Sequence, residues 1–173
     1  MNYGSIKSAD IANGTGVRVT LFVSGCTHHC KNCFNPETWD FNYGSKFTKD
    51  VEDKIINDMN HDYIEGLTLL GGEPMHPNNQ SALNPFLVRV KESYPNKTIW
   101  CYTGYVYDKD LVPNGRAYTN DTDELLKNID VLVDGPFVES MKNLMLKFRG
   151  SSNQRIIDMK RTLESGEIKL LDI

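Results

Sequence analysis

The sequence predicts an α/β domain, a partial, open-sided (β/α) barrel of four to five parallel strand units. Three observations lead there. Apolar runs rich in β-branched residues alternate with helical patterns along the chain, and strand–helix–strand alternation implies a parallel sheet with right-handed crossovers. The chain has 173 residues, whereas a closed eight-unit barrel takes ~250. Finally, the segments with chemical potential each follow a predicted strand, and ligands of parallel α/β folds bind at the carboxyl ends of strands. No repeat, linker or low-complexity tract divides the chain, so residues 1–173 are expected to form one domain.

The elements follow in order. Val17–Val23 alternates apolar and polar residues and reads as the first strand, ending just before a cysteine-rich loop. From about Thr48 to Asn60, Val51, Ile55, Ile56 and Met59 share one helical face, with acidic residues early in the run. Gly66–Leu70 is a buried strand that stops at Gly71-Gly72. Asn84-Pro85 suits a helix cap and first helical position, with Phe86, Leu87 and Val90 carrying the apolar face. Lys97–Tyr102 is a third strand, ending at Thr103-Gly104. A short helix at Thr122–Lys127 leads to the strand Ile129–Val133, which stops at Asp134-Gly135-Pro136. Leu144–Phe148 is expected to be a fifth strand.

Composition narrows the function. Hydrophobic residues make up 39% and charged residues 24%, with a formal net charge of -4. That balance and the lack of a Lys/Arg-rich run give no support to nucleic-acid binding. No apolar stretch approaches the ~18 residues of a membrane span, and the first residues lack the apolar core of a secretory signal. A cytoplasmic, reducing location is expected.

Three of the four cysteines, Cys26, Cys30 and Cys33, fall within eight residues in the spacing C-x3-C-x2-C. Such clustering argues for a metal site rather than a disulfide framework. Three thiolates on a short loop can bind three irons of a [4Fe-4S] cube and leave the fourth iron open to a small molecule. A structural zinc site drawing on His28 or His29 is the alternative. It is disfavoured because zinc sites usually take ligand pairs from two separated segments. On this reading the histidines are polar loop residues or hydrogen-bond donors near the cluster. Cys101, inside a predicted strand, reads as a small buried residue and not as a fourth ligand.

The cysteine loop after a first strand, followed by Gly71-Gly72-Glu73-Pro74 after a second, resembles the radical S-adenosylmethionine superfamily. Within it, the chain most resembles the activating proteins of anaerobic (class III) ribonucleoside-triphosphate reductase. The likeness runs through Gly25–Trp39, Trp100–Tyr105, Val131–Phe137 and Phe148–Gln154.

The resemblance implies a radical S-adenosylmethionine type of partial barrel, a [4Fe-4S] cluster and S-adenosylmethionine as cofactors. It also implies a reaction. The cluster's electron cleaves the sulfonium, and the 5'-deoxyadenosyl radical takes a hydrogen atom from a reductase glycine, leaving a glycyl radical. The reductase is then the protein substrate, and reduced flavodoxin or ferredoxin the expected electron donor. Cys26, Cys30 and Cys33 would hold the cluster. Gly71, Gly72 and Glu73 would meet the methionine end of S-adenosylmethionine, with Glu73 facing its ammonium group. Many superfamily members have an aromatic residue before the third cysteine. Here Asn32 stands there, so adenine is expected against the backbone of Asn32, Cys33 and Phe34. Thr103, Asp134, Ser151 and Asn153 are candidates for the ribose or carboxylate. An activase for another glycyl-radical enzyme, such as pyruvate formate-lyase, is the nearest alternative, and a zinc-binding interaction module the remote one.

Overall fold

A computed structural model describes residues 1–173. Seven strands form one open sheet in the order β3-β1-β2-β4-β5-β6-β7, with β1 Asn2–Asp10, β2 Val17–Val23, β3 Ser45–Lys46, β4 Ile64–Gly71, β5 Thr98–Tyr102, β6 Val131–Asp134 and β7 Arg155–Asp158. The central pairs β2/β4, β4/β5 and β5/β6 are parallel. Antiparallel pairs β1/β2, β1/β3 and β6/β7 flank them. Four parallel strands therefore carry the mixed α/β fold, and the sheet does not close.

Side-chain alternation decides what each face does. Leu21, Leu67, Leu69, Ile99, Cys101, Leu132 and Ile157 point into one 24-residue apolar core. Helices α1 Lys49–Asp58, α2 Pro77–Ser93, α4 Thr122–Asn128 and α5 Met159–Ser165 pack there, while α3, Tyr107–Asp110, is a single turn. Intervening residues face the other way, where Trp100, Val131, Val133 and Ile156 form a smaller cluster against Tyr102 and Phe148. On that second face Arg18 is fully buried. Its guanidinium donates to the Thr68 hydroxyl, the Thr98 hydroxyl and the carbonyls of Thr15, Leu67 and Thr98. That spread of acceptors satisfies a charge that burial would otherwise make costly.

Several sequence expectations are corrected. Asn84-Pro85 does not begin a helix. The helix α2 starts at Pro77, capped by His76, whose Nδ1 accepts from the Asn78 N–H. Pro85 lies inside it, and the Asn84 amide instead donates to Asp121 and Glu124 beside α4. Leu144–Phe148 is not a strand but a turn-rich loop. The strand beyond β6 is β7, and it runs antiparallel. β1 had no sequence signal, because Asn-Tyr-Gly-Ser-Ile-Lys-Ser-Ala-Asp sits near an edge with most side chains partly exposed and needs no alternating pattern. No helix is long and apolar enough to cross a membrane.

Candidate functional site

The register of the parallel strands brings the chemical segments together. Val23 pairs with Gly71, Leu69 with Cys101 and Tyr102 with Val133, so β2, β4, β5 and β6 end along one edge. Backbone bonds then fasten the cysteine loop to the turn after β4. The Gly72 N–H donates to the Val23 carbonyl and the Glu73 N–H to the Gly25 carbonyl, both at 2.8 Å. The Asn79 amide, at the start of α2, donates to the carbonyls of Ser24 and Glu73. Gly71 has φ +110°, and a Cβ there would lie 2.6 Å from the Val23 backbone. Only glycine gives both the left-handed backbone and that approach.

Glu73 is the hub. It is 1% exposed. Oε1 accepts from the Met75 N–H at 2.9 Å and the Thr103 hydroxyl at 2.7 Å. Oε2 accepts from the Gly104 N–H at 2.7 Å, with His28 Nε2 also at 2.7 Å. Facing an acceptor-only carboxylate, that imidazole nitrogen is a donor. The carboxylate thus ties the ends of β4 and β5 to the cysteine loop. His28 in turn packs edge-on against Tyr105, ring centroids 4.5 Å apart. A Cβ on Gly104 would come within 2.7 Å of the His28 ring, so this glycine makes room for the brace.

A cavity of about 420 Å³ opens at this edge. Cys26, Cys30, Cys33, Phe34, Gly71, Gly72, Glu73 and Thr103 all line it. Asn32, Asp134, Ser151 and Asn153 do not. Asn32 is exposed at φ +58°. Asp134 is wholly buried, pairing with Arg155 and accepting from the Tyr107 N–H. The Ser151 hydroxyl accepts from the Val138 N–H, and the Asn153 amide donates to the Pro136 carbonyl. These three shape the loop after β6. Thr103 reaches the cavity wall, but its hydroxyl is already committed to Glu73 and to the Tyr105 N–H.

Sequence reasoning passed over Tyr102 and Gln154, which also line the cavity. The Tyr102 hydroxyl is buried without a hydrogen-bond partner. Its signal in the sequence was alternation: with Cys101 facing the core, Tyr102 must face the opposite side at the strand's end. Gln154 binds the loop together, accepting from the Gly150 and Ser151 N–H groups and donating to the Gly135 carbonyl.

The three loop thiols differ in setting. Burial pushes Cys26 up to about 12, with Glu73 and the other two thiols acting in the same direction. Burial raises Cys30 as well, and Cys101, entirely buried in the core, is raised well above the usual thiol range. Raised values keep Cys26 and Cys30 protonated at neutral pH. In metal-free protein at pH 8, iodoacetamide is therefore expected to alkylate Cys26 at least about tenfold more slowly than it alkylates free cysteine. The rate should still be rising above pH 10. Peptide mass mapping of a time course checks this, and a rate equal to that of free cysteine would contradict the burial. No three histidine, cysteine, aspartate or glutamate side chains converge on a point that would hold a single metal ion.

Residues 12–157 match the family model described as a 4Fe-4S single cluster domain. The chain is 46% identical over 158 residues to the anaerobic ribonucleoside-triphosphate reductase-activating protein of Haemophilus influenzae, covering 90% of this chain and 97% of that one. It is 44% identical over 156 residues to the protein of the same name from Escherichia coli K12, covering 89% and 96%. The counterpart from Enterobacteria phage T4 is 38% identical over 158 residues, covering 90% and 93%.

Proposed function

Because the chain belongs to the family of anaerobic ribonucleoside-triphosphate reductase-activating proteins, with a 4Fe-4S single cluster domain, we propose that it installs a glycyl radical on such a reductase using S-adenosylmethionine. The observation that carries this reading is the gathering of Cys26, Cys30 and Cys33 with Gly71, Gly72 and Glu73 around one cavity at the strand ends. When bound, a [4Fe-4S] cluster and S-adenosylmethionine supply reductive cleavage of a sulfonium and removal of a hydrogen atom from glycine.

The chain's own residues supply position and exclusion of water. Cys26, Cys30 and Cys33 would hold the cluster, and Cys101 faces the opposite side of the sheet, within the core. Glu73 and His28 fix the loop that presents those thiols. The cavity is within the ~300–1,000 Å³ range of small-molecule sites. The backbone of Gly71-Gly72 is the natural contact for the methionine end. Both Glu73 oxygens already accept from the protein, so we assign Glu73 chiefly to bracing. Tyr102 contributes part of the cavity wall, with its hydroxyl buried. We read the open sheet, with its helices on one face and this site at the strand ends, as a partial barrel of the radical S-adenosylmethionine type.

Two measurements test the reading. Anaerobically purified protein should contain about four irons with matching sulfide and bleach in air. Stoichiometric zinc without iron would defeat it. Incubation with the reductase, a low-potential reductant and S-adenosylmethionine should then give a glycyl-radical signal in electron paramagnetic resonance. Its absence with an intact cluster would overturn the proposed activity.

A further inference from the structure

The four large apolar side chains most open to solvent are Leu144 (89%), Met145 (88%), Phe34 (77%) and Ile11 (75%). They are scattered in sequence but not in place. Phe34 lines the cavity, Ile11 adjoins the lining residue Ala12, and Leu144-Met145 lead directly into the lining residue Leu146. Isolated exposed apolar residues need no explanation, but their concentration around a single opening marks an interaction surface. A ligand confined to the cavity would leave Leu144 and Met145, which are outside its lining, exposed to solvent.

One segment of this rim is basic. Met141–Arg149 contains Lys142, Lys147 and Arg149 and no acidic residue, in a chain whose net charge is -4. Lys142 Nζ lies 5.8 Å over the Phe34 ring, joining the charged and apolar parts. Nor is the segment a frayed loop. A bridge from Lys142 to Ser151 closes its base, Phe148 packs edge-on against Trp100, and the Arg149 guanidinium donates to the Gln154 carbonyl. An apolar rim held in place costs less ordering on association than one that must be fixed first.

We propose that Ile11, Phe34 and the segment Met141–Arg149 form the docking rim for the reductase, receiving an apolar, acid-flanked surface around its reactive glycine. This rests on the function proposed above: a glycine within a large folded protein can reach the cavity only if that protein's surface covers the mouth. Apolar contact supplies the hold, and the three cations favour an acidic margin on the partner.

The test uses the full-length, cluster-loaded protein carrying Leu144→Asp with Met145→Asp, two exposed positions outside the cavity lining. Iron content and the affinity for S-adenosylmethionine, measured by equilibrium dialysis, should stay within about twofold of the parent. The reductase concentration giving half-maximal glycyl radical should rise by about tenfold or more, as expected for charges placed in an apolar contact. A second variant, Lys147→Glu, should raise it too and should blunt its dependence on salt. An unchanged half-maximal concentration in both variants overturns the docking rim. A loss of S-adenosylmethionine affinity in the aspartate variant overturns it as well, by placing the segment in the small-molecule site. If the parent protein forms no glycyl radical, the proposed function itself has failed, a distinct result from these.

Discussion

Alanine at Cys26, Cys30 or Cys33 is each expected to leave a folded protein without cluster-dependent cleavage of S-adenosylmethionine. Each loop thiol lines the same cavity, and no other cysteine can substitute, because Cys101 faces the helical core on the other side of the sheet. Removing one thiolate leaves two ligands on a short loop, which should empty the site of iron. Cys101→Ala should keep full iron content and cleavage, at a stability cost of about 1 kcal/mol for the lost buried sulfur. Iron and sulfide analysis with 5'-deoxyadenosine release reads all four variants. A Cys101 variant that folds yet lacks iron would show that the ligand set is wrong.

The second large effect is expected at Glu73, and there even glutamine should fail. Each carboxylate oxygen faces a backbone N–H, Met75 on Oε1 and Gly104 on Oε2. An amide must aim its NH2 at one of them in either orientation, setting donor against donor. Backbone N–H groups cannot turn away, and a buried unsatisfied donor costs about 1–3 kcal/mol. Glu73→Gln should therefore lower Tm by about 3–10 °C for a chain of this size. It should also loosen the His28 brace, so that reconstituted iron falls well below the parent value. Thermal unfolding and iron analysis on the same preparation check both parts. A Gln variant with parental Tm and iron would mean that the carboxylate network is dispensable.

How much of this was legible in the chain depends on how local each feature is. The cysteine loop was readable because Cys26, Cys30 and Cys33 lie within eight consecutive residues, and their spacing is set by covalent connectivity. The central strands were readable because their alternating or continuous apolar residues record burial. β1 left no such record, since its pairing with β2 is backbone bonding near a partly exposed edge. Leu144–Phe148 misled for the opposite reason: its apolar residues look like strand residues, but Leu144 and Met145 face solvent. Asn84-Pro85 carried a sound local signal for a helix start. Contacts of the Asn84 side chain with Asp121 and Glu124, far along the chain, belong to a helix already under way.

By itself, then, the sequence determined the cluster of three cysteines, the mixed α/β class and the strand ends along which the cysteine and glycine segments gather, because these follow from local spacing and from hydrophobic period. Tertiary structure alone decided how those pieces act. It turned Glu73 from a free carboxylate into a buried clasp for His28, Thr103 and Gly104. It drew Asp134 away from the cavity into its pairing with Arg155. It also collected Ile11, Phe34, Leu144 and Met145 around one opening. Those outcomes depend on which distant segments the folded sheet makes neighbours, and no local pattern of residues encodes that adjacency.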